Sequence, residues 1–161
     1  MSPETAAAQI RKKLDISSPP VDVQEICDRL GILLLFRDAK VGTLLGISTR
    51  MNTPSGHVTI ISVNSRLSQG RMRFTIAHEL GHCVLHHNGT PGLKNADVTG
   101  IKYSKRDENH ANRFASELLM PDDILAAEWC WHEPEQLAKR YAVSIGAMNV
   151  RLKRYNSQFT T

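Results

Sequence analysis

The chain has 161 residues, 41% hydrophobic and 22% charged, an ordinary balance for a globular protein of one domain, long enough to bury about two-thirds of its unfolded surface. A net charge of +4 leans mildly toward anionic partners without specifying one. No stretch approaches the ~20 apolar residues of a membrane span, and the N-terminal segment carries Glu4, Arg11, Lys12 and Lys13 where a signal peptide has an apolar run, so a cytoplasmic protein without membrane association is expected.

In chain order, Ala6 to Leu14 reads as a short helix with Ile10 and Leu14 on one face, broken by Ser17-Ser18-Pro19-Pro20. A second helix starts at Asp22, which can cap it reciprocally with Glu25, and Gly31 suits the left-handed residue that ends it. Ile32–Phe36, Leu44–Ser48 and His57–Val63 read as strands joined by short turns, which suggests a small antiparallel sheet. Helices are then expected at Arg71–His87, Ser104–Met120, Asp122–Trp131, Pro134–Ala142 and Ser144–Tyr155, with a Gly- and Pro-rich loop over 88–103 that could wall a cleft or be plain surface. The fold class is α+β. Residues 1–131 form the expected main domain, and 132–161 a helical extension packed on it or continuous with it. The three cysteines, Cys27, Cys83 and Cys130, are odd in number and far apart, so no disulfide framework is expected and each reads as a small buried apolar residue.

Ala77-His78-Glu79-Leu80-Gly81-His82 carries the pattern H-E-x-x-H. On a helix, residues four apart share a face, so His78 and His82 can offer two neutral imidazoles to one metal ion. Glu79 can then reach a metal-activated water without ligating, and take its proton. With 7 histidines in the chain the chance of a random match is on the order of one per cent. Helix-spaced Phe74, Ala77, Gly81, Val84 and Leu85 place the motif on a packed helix. The metzincin extension fails, because the glycine and histidine it needs are replaced by Leu85 and Asn88. For a third ligand, Asp107 and Glu108 both border the apolar face of the next helix, and periodicity does not separate them. Ser104-Lys105-Arg106-Asp107 gives Asp107 a capping role, which leaves Glu108 as the ligand and Asn112, one turn on, as a hydrogen-bond partner for a ligand histidine.

These residues resemble a known family. Arg73-Phe74-Thr75-Ile76-Ala77-His78-Glu79-Leu80-Gly81-His82, followed by Glu108-x-x-Ala111-Asn112-x-Phe114-Ala115-x-x-Leu118-Leu119-Met120-Pro121, is similar to the ImmA/IrrE metallo-endopeptidases. Pro20-Val21-Asp22-Val23, Leu30-Gly31-Ile32, Ile61-x-Val63-Asn64 and Leu137-Ala138-x-x-Tyr141-x-Val143-Ser144 extend the likeness over nearly the whole chain. Many members carry an acid where this chain has His110. The resemblance implies a zincin-like core of the thermolysin type, one Zn2+ per chain held by His78, His82 and Glu108, Glu79 as general base, and helix-turn-helix repressors of the Xre/Cro type as substrates.

A tetrahedral oxyanion needs a donor besides the metal; Tyr103, His86, His87, Arg106 and His110 are all candidates by position, of which Tyr103 and His86 are carried forward, and each also has a plain structural reading, the histidines at a helix end, Tyr103 in packing and Arg106 in solvent. The C-terminal segment reads as helix, turn, helix, with Lys139, Arg140, Arg151, Lys153 and Arg154 and no acid between 139 and 154. The alternative function is therefore a regulatory module that binds DNA or a repressor through these helices without cutting; a solvated basic face is the commoner outcome of such a run, so DNA binding is not favoured.

Overall fold

The computed structural model describes residues 1–40, 45–54, 56–86, 90–92 and 100–156, with the backbone alone at 90–92, 100–102 and 156. Leu44, His87 and most of the expected 88–103 loop lie outside these residues. The elements are α1 (Pro3–Lys13), α2 (Val23–Arg29), β1 (Ile32–Arg37), β2 (Gly46–Thr53), β3 (Gly56–Asn64), α3 (Gln69–Val84), β4 (Thr90–Gly92), β5 (Gly100–Lys102), α4 (Lys105–Leu119), α5 (Asp122–Glu128), α6 (Pro134–Tyr141) and α7 (Ile145–Asn156). No helix among the described residues is long and apolar enough to cross a membrane.

Helix starts follow local chemistry. Ser2 and Asp22 cap α1 and α2 by accepting backbone amides, Asp22 from Gln24 and Glu25 at 2.9 and 3.1 Å. The reciprocal bond expected from Glu25 gives way to an i,i+4 pair with Arg29 at 3.5 Å. A capping box that was not anticipated, between Glu133 and Gln136, opens α6. Gly31 does adopt a left-handed φ of 68° after α2.

The expected antiparallel sheet is in fact mixed. Strand order is β1-β3-β2, with β2 antiparallel to β3 (Gly46 opposite Val63, Thr53 opposite Gly56) and β1 parallel to it (Ile32 opposite Thr59, Arg37 opposite Asn64). Chain direction alternates as in a simple meander, yet β3 inserts between β1 and β2, so the first and third strands become parallel neighbours. The reason lies in burial. Ile61, Ser62, Val63 and Asn64 at the end of β3 are all buried, and only the central position covers both edges of that segment. A short second hairpin, β4 with β5, falls where only loop was expected.

Helix α3 lies against β2 and β3 on one side and α4 on the other. Ile76, Ala77 and Leu80 of α3 and Phe114, Ala115 and Leu118 of α4 are fully buried in one cluster that also contains Leu137, Tyr141 and Met148 of the C-terminal helices. Arg73 ties α3 to both ends of the chain, donating to the carbonyls of Ala142 (3.0 Å) and Val21 (2.7 Å). Ala142, in the left-handed region at φ 50°, ends α6 and leads into α7. Of the cysteines, Cys27 is buried and Cys83 partly so, their thiols pushed up by burial to about 12 and about 11. Cys130 departs from expectation and is exposed, because the chain leaves α5 at the surface there.

Candidate metal centre

Two glycines allow three elements to converge. A Cβ on Gly81 would stand 3.0 Å from the Phe114 ring and 3.2 Å from the Ala111 Cα, so α3 and α4 touch at this turn with no side chain between them. A Cβ on Gly46 would stand 2.5 Å from Thr75 Cγ2 and 3.1 Å from Glu79 Cγ, so β2 runs directly over the first residues of the motif. Gly81→Val is accordingly expected to force α3 and α4 apart, costing about 1–3 kcal/mol. It should also weaken metal binding, which thermal melts with and without added zinc would reveal.

That approach places the Glu108 carboxylate over the histidine pair. His78 Nε2 and His82 Nε2 lie 3.0 Å apart, Glu108 Oε2 is 3.3 Å from His78 Nε2, and Glu108 Oε1 is 3.7 Å from His82 Nε2. Ligands at 2.0–2.1 Å from a tetrahedral ion stand roughly 3.3 Å from each other, so these three donors fit a zinc-sized ion with little rearrangement. They form a His-His-Glu group whose ligand atoms fall within 4.8 Å. Asn112 Oδ1 is 2.9 Å from His78 Nδ1. With that oxygen as acceptor, Nδ1 carries the proton and the Nε2 lone pair faces the site. Asn112→Ala should therefore reduce zinc affinity about 10–100-fold, measurable by competition with a chelating dye.

Asp107 is drawn away from the site. Ser104 Oγ accepts from the Asp107 amide at 3.1 Å and donates to the Asp107 carboxylate at 2.8 Å, the N-cap of α4. Glu79 points toward β2, where Ser48 Oγ donates to its Oε2 at 2.8 Å. Burial raises the Glu79 pKa, opposed by the Ser48 hydrogen bonds and by His78. The Tyr103 ring stacks on His82 with centroids 3.6 Å apart at 12°, and its hydroxyl is 3.4 Å from Ser48 Oγ. Burial, with Glu79 and Glu108 nearby, raises the Tyr103 pKa against the Ser48 bond, so the phenol stays protonated and can donate. His86 does not join this group. It is exposed and left-handed (φ 54°) just past the end of α3, where it finishes the helix. A cleft of about 300 Å³ opens on the site, lined by Gly46, Ile47, Phe74, His78, Tyr103 and Glu108 among others. Ser48 and Gly46 carried no sequence signal, since their partners on α3 lie about thirty positions away.

The IrrE N-terminal-like domain of the M78 peptidases matches residues 27–153. The chain belongs to this family. Among curated relatives it is 33% identical over 106 residues to "Metallopeptidase ImmA" of Bacillus subtilis strain 168, covering 65% of this chain and 57% of that protein. It is also 41% identical over 68 residues to "Uncharacterized immunity region protein 2" of Bacillus phage phi105, covering 41% of this chain and 40% of that one. The chain thus spans about half the length of these relatives. A solved structure titled a Mycobacterium tuberculosis transcriptional regulator shares the fold with a TM-score of 0.57 at 20% identity, over 93% of this chain and 46% of the other. Membership in a metallopeptidase family implies a metal, and His78, His82 and Glu108 are the described residues grouped to hold one.

Proposed function

We propose that the protein is a zinc-dependent endopeptidase, with His78, His82 and Glu108 as ligands and Glu79 as general base. The observation that carries this reading is a three-donor set open on one side, with a buried carboxylate at its edge. A structural zinc site would close with four protein ligands. Zinc, when bound, supplies a Lewis acid for the scissile carbonyl and lowers the pKa of water toward 7. Glu79 accepts the proton of the attacking water and later returns it to the leaving amine. Ser48 holds that carboxylate in place, and the Tyr103 hydroxyl is the best placed donor for the developing oxyanion.

The proposed substrate is a helix-turn-helix repressor of the Xre/Cro type. Support comes from family membership and from relatives named as ImmA and as an immunity region protein. The non-cleaving, DNA-binding alternative draws less support from the side chains. Arg151 is buried against Glu117, Asp122 and the Met120 carbonyl, Arg140 pairs with Glu128, and Arg154 lies 3.4 Å from Glu4. The test is incubation of the zinc-loaded chain with a repressor encoded beside its gene, read by mass spectrometry. Two zinc-dependent fragments are expected. An intact repressor, together with zinc-independent binding to its operator DNA, would favour the alternative.

A further inference from the structure

The sheet order β1-β3-β2 leaves two edges that differ in use. Strand β2 lies over α3 and lines the cleft through Gly46 and Ile47. Strand β1 is the opposite edge, and among the described residues no strand pairs with its outer side. Its Leu33, Leu35 and Phe36 are 50%, 42% and 49% exposed. Natural edges are guarded by charges, proline, a bulge or a covering element, and Ile32–Phe36 contains no charge, no proline and no break in register. The phase of the ladder fixes what this edge offers. The Arg37 carbonyl accepts the Ser65 amide at 2.9 Å while Arg37 stands opposite Asn64. Leu33, Leu35 and Arg37 therefore turn both backbone groups toward β3, and Ile32, Leu34 and Phe36 turn theirs outward. The outward groups are symmetric about Leu34.

We propose that β1 pairs antiparallel with β1 of a second copy of this chain, about a two-fold axis at Leu34, so that two three-stranded sheets become one. Leu34 then exchanges its N–H and C=O with Leu34 of the second copy, and Ile32 does the same with Phe36 at each end of the seam. Leu33 faces Leu35 in the intervening pairs, where side chains lie closest, and these exposed leucines leave water together. Arg37, the one charge of the strand, comes opposite Gly31, beside which an added Cβ would meet nothing within 4 Å. Neighbouring registers fail. Pairing about Ile32 sets Phe36 against Asp28 inside α2, and pairing about Phe36 sets Leu35 against Arg37. A strand of another protein could supply the hydrogen bonds, but the second copy also matches an apolar residue to every position from 32 to 36. The seam is one strand long, ~20 Å, at the small end of specific interfaces, so the dimer forms reversibly. The cleft, on the β2 side, stays open.

This pairing stands whether or not the chain cuts peptides, and it is read by mass. Sedimentation velocity on the purified protein, from low micromolar to near-millimolar concentration, should shift from the 18.0 kDa of one chain to twice that. Leu33→Lys with Leu35→Lys sets like charges against each other at both Leu–Leu contacts and should weaken the dimer at least tenfold. Leu33→Glu with Leu35→Lys sets opposite charges across the same contacts and should recover most of it. The shifted registers would bring that lysine against Arg37 or Arg29 instead, so the recovery is specific to pairing about Leu34. Both positions are exposed, and zinc content should not change. In the unsubstituted protein, amide hydrogen exchange at Leu34 and Phe36, followed by NMR, should slow as concentration rises. A monomer throughout the range, a dimer that the paired lysines leave within twofold, or no recovery with Leu33→Glu and Leu35→Lys would overturn the pairing. So would amides at Leu34 and Phe36 already protected in the monomer, which would mean that another part of the chain covers the edge.

Discussion

Glu79→Gln is expected to lower repressor cleavage by roughly 10²–10⁴-fold while leaving zinc content unchanged. The amide keeps the size of the carboxyl and can still bond to Ser48, so the 2.8 Å contact survives in altered form. What it loses is the ability to accept a proton from water and return it to the leaving amine. The three ligand atoms belong to other residues, so the metal stays. Single-turnover cleavage measured beside metal analysis on the same preparation checks both halves. Cleavage at the normal rate would remove Glu79 from the base role, and loss of zinc would make it a ligand.

The second large effect is structural and sits at the other end of α4. The Arg151 side chain is 2% exposed and bonds to Glu117, itself 6% exposed, and to Asp122 and the Met120 carbonyl. Together these contacts fasten α7 to the end of α4 and the start of α5. Removing the guanidinium leaves a buried carboxylate and a carbonyl without it, so Arg151→Ala should cost about 3–5 kcal/mol. For a chain of this size that is on the order of a 10 °C drop in Tm, readable by circular dichroism. Arg151→Met combined with Glu117→Leu should lose less than Arg151→Ala alone, because no buried charge is then stranded and Asp122 is 54% exposed. Loss of DNA retardation in an Arg151 variant would consequently report unfolding, and a test of DNA contact is better made at exposed Lys153.

The parts of this molecule legible in the sequence are those governed by short-range periodicity. His78 and His82 share a face because they are four apart, and Ser104 with Asp107 declares a cap. The preference for Glu108 over Asp107 as the proposed third ligand rests on that cap and not on the hydrophobic pattern, which fits both. The mixed sheet is not legible in local patterns, because the pairing of β1 with β3 depends on which segment must be buried on both edges, a property of the packed whole. Ser48 and Gly46 escaped for a related reason. A serine and a glycine in a strand look like ordinary surface until α3 is laid across them. The basic C-terminal run left its partners open in the sequence, since a list of cations says nothing about the glutamates on α1, α4 and α5 that meet them.

Zinc stoichiometry, measured by inductively coupled plasma mass spectrometry on the purified protein, tests the metal centre most directly. The wild-type protein and the Glu79→Gln and Asp107→Ala variants should each carry about one zinc per chain, as a single catalytic site requires. His78→Ala, His82→Ala and Glu108→Ala should each carry far less after dialysis against a weak chelator. Full occupancy in Glu108→Ala, or loss of zinc in Asp107→Ala with Glu108 intact, would contradict the assignment of the third ligand and with it the geometry of the site.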